Sequence, residues 1–248
     1  MSTPPPRPAV RLASAAASGG GALLAAGVRV VAAARPAAKP LHPRGRLRHG
    51  TLVRRGAEAT GAPRTGVAWL DEPGTDAAWV RTSRAVGLPA PAPDVHGLAL
   101  RLHLDDGPAD VLLASTGRGR LTRWLLTAGV DPWSRPQTSL LPYRSPVGPL
   151  LLGARRVDAP EDGAPEEPVV ELSWARGSGP WHPFAELCVS GREVTDADGD
   201  AHRGHPRHAP PDVSFDPVLR VLPGLAHYRV VARLREPAYR TARAQRDD

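Results

Sequence analysis

The 248-residue chain has a single cysteine, Cys188, so an intramolecular disulfide and any cysteine-rich zinc or iron–sulfur site are excluded. Cys188 stands in the apolar run Phe184–Val189, which reads as a strand with a buried, structural thiol. Aromatic residues make up only 4% of the chain, too few to build a base-stacking platform. Lysine is nearly absent: Lys39 is the only one among 32 basic residues, which outnumber 25 acids and give a net charge of +7. No basic run is interleaved with aromatics, so nucleic acid is not the expected partner despite the high pI. A long hydrophobic run is missing too. Residues 13–34 are rich in alanine and glycine, but Arg29 interrupts them and only Leu23 and Leu24 are strongly apolar. They read as part of a flexible start, residues 1–35, holding a short helix over 21–34, with no membrane insertion and a cytoplasmic location. Neither a Gly-Lys-Ser/Thr phosphate loop nor a Gly-x-Ser-x-Gly nucleophile elbow is present.

What the chain has in quantity is proline (29) and glycine (25), the residues of turns rather than of long helices. The stretch Asp76–Thr116 shows the consequence most clearly. A strand is expected over Trp79–Ser83, a longer one over His96–Leu104 and a third over Asp110–Thr116. Leu98, Leu100, Leu102 and Leu104 alternate with Ala99, Arg101 and His103, the period of a half-buried strand. Asp105-Asp106-Gly107 supplies hairpin-turn chemistry, because these residues tolerate positive φ. Arg81 and Ser83, two apart, share one face of their strand.

Further strands are expected over His49–Arg55, Thr65–Leu70, Thr138–Pro142, Leu150–Val157, Val169–Ala175 and Trp181–Val189. Arg120–Ala128 reads as a short helix with Leu121, Trp124 and Leu125 on one face. Residues 191–212 form a polar loop. Its His202, His205 and His208 read as solvated rather than metal-binding, since no carboxylate shell supports them. Tyr228–Arg246 is helical in composition, with Pro237 as a kink or new first turn. The pattern predicts a mainly β fold: an antiparallel barrel or sandwich of about eight strands with a few peripheral helices, as one domain over 36–248.

Several motifs recur in one order along the chain. Lys39, His42 and Gly45 come first, with a basic residue three before a histidine and a glycine three after it. Arg81-x-Ser83 and Asp94-x-x-Gly97 follow. Near the end stand Phe215-Asp-Pro217, Val221-Leu-Pro-Gly-Leu225 and Arg235-x-x-x-Tyr239, with Arg246 seven residues beyond. In this order and spacing the chain resembles the heme-catalase superfamily.

The resemblance implies a catalase-like antiparallel β-barrel and a possible heme. It makes His42 the distal general acid/base and Ser83 the group that fixes its tautomer. Arg81 and Arg246 become partners of heme carboxylates, with Lys39 alongside. Tyr239 becomes the iron ligand, with Arg235 favouring its phenolate. The implied substrate is hydrogen peroxide or an organic or lipid hydroperoxide.

The chain also departs from the family's pattern. Ala114 and Ser115 stand where a distal asparagine is expected, and Tyr239 is not followed by the family's Pro-Asp-x-His segment. Peroxidase-type turnover is therefore expected over strong catalase activity. Two other readings stay open: a heme-free barrel used for binding or structure, and a hydrolase (phosphodiesterase), which rests on the naming of look-alikes and has no motif here. The oligomeric state is not legible.

Overall fold

The computed structural model describes residues 45–85, 87, 91–157, 168–194, 213 and 215–231. Ten strands are present: β1 (Gly45–Arg55), β2 (Pro73–Arg84), β3 (His96–Leu104), β4 (Gly107–Ser115), β5 (Gln137–Thr138), β6 (Tyr143–Ser145), β7 (Gly148–Val157), β8 (Val169–Arg176), β9 (Trp181–Glu193) and β10 (Ala226–His227). Two short helices, α1 (Gly56–Thr60) and α2 (Ala68–Asp71), lie between β1 and β2. The order β7-β5-β4-β3-β2-β1-β9-β8 returns to β7 through the β7–β8 pairing, so eight antiparallel strands close a barrel. β6 and β10 extend β7 sideways outside that circle. This is the mainly β, catalase-like architecture expected from the sequence.

The register separates two faces. Leu52, Val80, Leu100 and Val111 lie on the inner face, and so do Ala78, Leu98, Leu102, Ala109, Leu113, Leu152, Leu172, Ala185 and Leu187, all buried in one core. An eight-stranded barrel is just wide enough for such side chains to fill it. β3 runs over the expected residues, and the two-residue turn Asp105-Asp106 leads into Gly107, whose φ of 113° only glycine adopts without strain. One end of the barrel, where β1 finishes and β2 begins, is plugged by α1, α2 and the segment before them. There Asp76 accepts hydrogen bonds from Arg54 Nε (2.8 Å) and Trp69 Nε1 (3.0 Å). Trp69 in turn packs edge-on against Phe184 with ring centroids 5.3 Å apart.

Several expectations are corrected. Thr65–Leu70 is no strand: the Asp71 carboxylate gathers the Thr65 and Gly66 amides and the Thr65 hydroxyl, turning the chain into α2. Arg120–Ala128 is no helix beyond the 3-10 turn Thr122–Trp124. Leu121 and Leu125 are 68% and 55% exposed, so no apolar face packs to stabilise one. The backbone instead pairs Thr116 with Leu126. The hairpin arm before β7 is Tyr143–Ser145, not Thr138–Pro142; only Thr138 of that stretch is paired, in β5. Cys188 is exposed, because Leu187 and Val189 take the inner face and Cys188 pairs with Thr51 on the uncovered outer face. The helix expected over 21–34, the boundary at residue 35, the histidines of 202–208 and the tail beyond Val231 lie outside the described residues. No helix among the described residues is long and apolar enough to cross a membrane.

Leu100 is fully buried in the centre of the barrel. Leu100→Ala should cost about 2–5 kcal/mol in urea unfolding, whereas Leu121→Ala should stay within about 0.5 kcal/mol. Equal effects would contradict the burial pattern.

Candidate functional site

The outer face of β1–β4 presents ordered rows of side chains, because residues paired across an antiparallel ladder point the same way. The first row is Gly45, Ser83, Gly97 and Ala114. Nothing in it is larger than a hydroxymethyl group, so one corner of the sheet is a smooth floor. The second row is Leu47, Arg81, Ala99 and Leu112, and the third is His49, Trp79, Arg101 and Asp110. Arg81 crosses from the second row onto the first: a Cβ at Gly45 would fall 2.5 Å from Arg81 Nε. The guanidinium thus lies flat over Gly45 and is half-buried, and desolvation lowers its pKa from the ordinary value. Arginine stays charged in proteins even so. Ser83 is buried at the end of β2.

The loop before this floor is shaped by Asp94. Its buried carboxylate accepts the Gly87 amide (2.8 Å) and faces the Arg84 guanidinium at 3.5 Å. Its backbone exchanges two hydrogen bonds with Gly129, each 2.9 Å. Gly97 follows as a floor residue.

Ser115, one of the two residues standing where an asparagine was expected, faces inward. Its hydroxyl accepts the His96 amide (3.0 Å) and donates to the Thr127 carbonyl (2.6 Å). Ala114 alone reaches the outer face there, so the floor carries no amide at that position.

The third row fastens the C-terminal segment onto the same sheet face. Arg101 donates two hydrogen bonds to Asp110, both 2.7 Å, and the aspartate side chain is fully buried. Asp110 Oδ2 also accepts the Asp216 amide (2.6 Å), and the Asp110 amide donates to the Arg220 carbonyl (2.7 Å). The Phe215 ring lies over the Arg101 guanidinium, 5.2 Å from its centroid. Asp216 then caps its own turn by accepting the Val218 and Leu219 amides. The Phe-Asp-Pro motif is therefore an anchor. Beyond it Leu222 and Leu225 join the core, and Gly224, at φ 81°, passes 3.1 Å from Val67 when measured from a Cβ built on it. Sequence reasoning singled out the motif by resemblance and missed its partners. The signal available was an Arg and an Asp at facing positions of a two-residue hairpin.

Beside this anchor His103 meets Trp79 edge-on, with centroids 4.8 Å apart. Burial is the main cause that lowers the His103 pKa; Arg101 and His49 add to it and Asp110 opposes it.

Of the residues carried by the resemblance, Arg81, Ser83, Asp94 and Gly97 converge on one corner of the barrel. Lys39, His42, Arg235, Tyr239 and Arg246 lie outside the described residues. Among the described residues no group of three or more His, Cys, Asp or Glu side chains is placed to hold a metal ion.

No protein-family profile matches the sequence, and no curated protein matches it. Among solved structures the chain is similar to a bacterial catalase. The TM-score is 0.53 and the identity 13%, over 84% of this chain and 57% of that one. The likeness concerns the fold, and the chain spans 57% of that catalase's length.

Two outcomes follow from the third row. Asp110→Asn leaves the Arg101 charge buried without its partner and should destabilise by about 3–5 kcal/mol. Limited proteolysis should then cut faster within residues 215–231; an unchanged cleavage rate would contradict the anchor. His103 has a folded-state pKa below the unfolded value of about 6.5, so the unfolded state binds the extra proton. Its contribution to stability is present above that value and is lost as pH falls through the folded pKa. His103→Phe, which keeps the ring against Trp79, should shrink the fall in melting temperature between pH 7 and pH 5. An undiminished fall would assign the acid limb to other groups.

Proposed function

We propose that this chain is a heme protein acting on hydrogen peroxide or organic hydroperoxides, with peroxidase-type turnover rather than strong catalase activity. The observation that carries the reading is the smooth floor of Gly45, Ser83, Gly97 and Ala114, with the half-buried Arg81 laid across one edge, on a catalase-like barrel. A flat macrocycle bearing carboxylates needs a floor without projecting side chains and a cation at its rim. The donor set fits that requirement.

In this reading Arg81 binds a carboxylate by its planar fork of donors, joined by Arg246 and Lys39. Tyr239 would hold the iron through its phenolate oxygen, and Arg235 would compensate that negative charge, since a phenol ionises only near pH 10 when unassisted. A bound heme supplies the redox chemistry that makes peroxide cleavage possible. His42 takes the proton from one peroxide oxygen and returns it to the other, so that the departing oxygen leaves as water or an alcohol. Ser83 holds the imidazole in the tautomer that can do this. Ala114 offers no amide to a second peroxide molecule, which is why oxidation of a different donor is favoured over the catalase cycle.

Protein purified with heme supplied should show a Soret band. Tyr239→Phe should abolish or greatly weaken heme retention. Arg81→Leu should weaken it about tenfold, the worth of one charge-assisted contact. His42→Ala should keep the Soret band and lose peroxide turnover. Absence of the band in the unmodified protein overturns the proposal and leaves the barrel as a heme-free binding fold.

A further inference from the structure

We propose that the end of the barrel where β1 begins and β7 ends is a binding site for a small organic phosphomonoester, separate from the outer-face site. Arg46, Arg48 and Thr82 lie on the inner face by register, on the same ladder positions that deeper in the barrel hold Gly50, Leu52, Val80 and Ala78. Arg156 extends the inner row of Leu150, Leu152 and Ala154 on β7. These four side chains, with Pro132, Trp133 and Pro168, line a cavity of about 280 Å³.

Arginines at the mouth of a barrel are ordinarily just solvated. Here Arg48 Nε is buried without a hydrogen-bond partner among the described residues, an uncompensated desolvation that a small shift of the side chain toward a bound acceptor would relieve. The wall opposite is held in place. His96 Nε2 bonds the Gly129 carbonyl at 3.0 Å, Gln137 Nε2 donates to the Pro132 carbonyl at 2.6 Å, and the Trp133 amide donates to Asp131 at 2.8 Å.

The charge around the cavity selects the ligand. Among the described residues, three guanidiniums line the cavity and one carboxylate, the half-exposed Glu193, stands 4.0 Å from Arg46. Two positive charges in excess match a phosphate dianion, and arginine's fork suits its oxygens. Trp133 and the two prolines give an apolar wall for the organic part. The cavity falls just below the roughly 300–1,000 Å³ usual for ligand pockets, so a single ring fits and a dinucleotide does not. Residues 158–167, which join β7 to β8, include five acids (Asp158, Glu161, Asp162, Glu166 and Glu167) and lie outside the described residues.

Phenyl phosphate, titrated calorimetrically into the full chain at constant ionic strength, should bind saturably at one site, and phenol should not. Arg48→Met and Arg156→Gln should each weaken binding about tenfold, while Arg144→Gln, an exposed arginine on β6, should leave it unchanged. Should Arg48→Met fail to fold, the exposed Arg156 carries the comparison. Non-saturable binding, phenol binding as well as the phosphate, or an equal loss in Arg144→Gln would overturn the proposal. Occupancy is measured with and without added heme, so its outcome is independent of the outer-face reading.

Discussion

Gln137 and Thr138 close the barrel. The pair bonds to Ser115 and Ala114 of β4 on one side and to Ala154 and Gly153 of β7 on the other, whereas the neighbouring joins run along most of a strand. Further hydrogen bonds from side chains and backbone reinforce this short seam. Thr138 Oγ1 donates to the Arg123 carbonyl at 2.9 Å, the Ser139 amide to the Leu152 carbonyl at 2.9 Å, and Gln137 reaches Pro132. All three seam residues are buried. Were the seam to open, β4 and β7 would become free edges and the leucine rows would meet water. The separation of an inner and an outer face depends on that closure.

Closure gives every strand two addresses, and the chain uses them for unlike purposes. Inward positions are mostly aliphatic through the middle of the barrel and turn to arginine toward the strand ends, at Arg46, Arg48 and Arg54 of β1, Arg84 of β2, Arg156 of β7 and Arg176 of β8. Outward positions on β1–β4 run from small residues at one end to an ion-paired row at the other. The Arg101–Asp110 pair is buried on the outer face because the 215–231 segment covers it. Asp110 spends its two oxygens and its amide on three different partners. A buried ion pair is weak support for stability by itself. Its worth here is geometric, since it fixes where residues 215–231 cross the sheet.

The strands of the 76–116 region were legible because one face is buried and the other is not, which prints a period of two onto the leucines of β3. β5 was illegible for the opposite reason. Two residues cannot display a period, and Gln137 and Thr138 are polar residues buried by their hydrogen bonds. The segment around Leu121 and Leu125 carried a helical spacing that nothing packs against, so backbone pairing with Thr116 won. Thr65–Leu70 looked like a strand by composition, but a single carboxylate, Asp71, outweighed β propensity by gathering three donors. On the site, Arg81 and Ser83 could be placed on one face from spacing alone. Which face it was, and that Gly45 lies beneath the guanidinium, required the register.

Glycine and alanine are poor strand residues, since they cost backbone entropy and offer little to pack. Their concentration in the row Gly45, Ser83, Gly97 and Ala114 breaks local preference at one corner, while β3 and β4 below it keep leucine inside and ion pairs outside. Departures of this kind gather where function makes a demand that stability does not. Gly45 has its account in Arg81, which needs the space. The arginine itself is half-buried over that glycine, and burial lowers its pKa. The heme reading proposed above would use both features of this corner, the low floor and the cation at its edge. The fold and this corner are thus separable: the barrel would stand with larger side chains in the row, and the site would not.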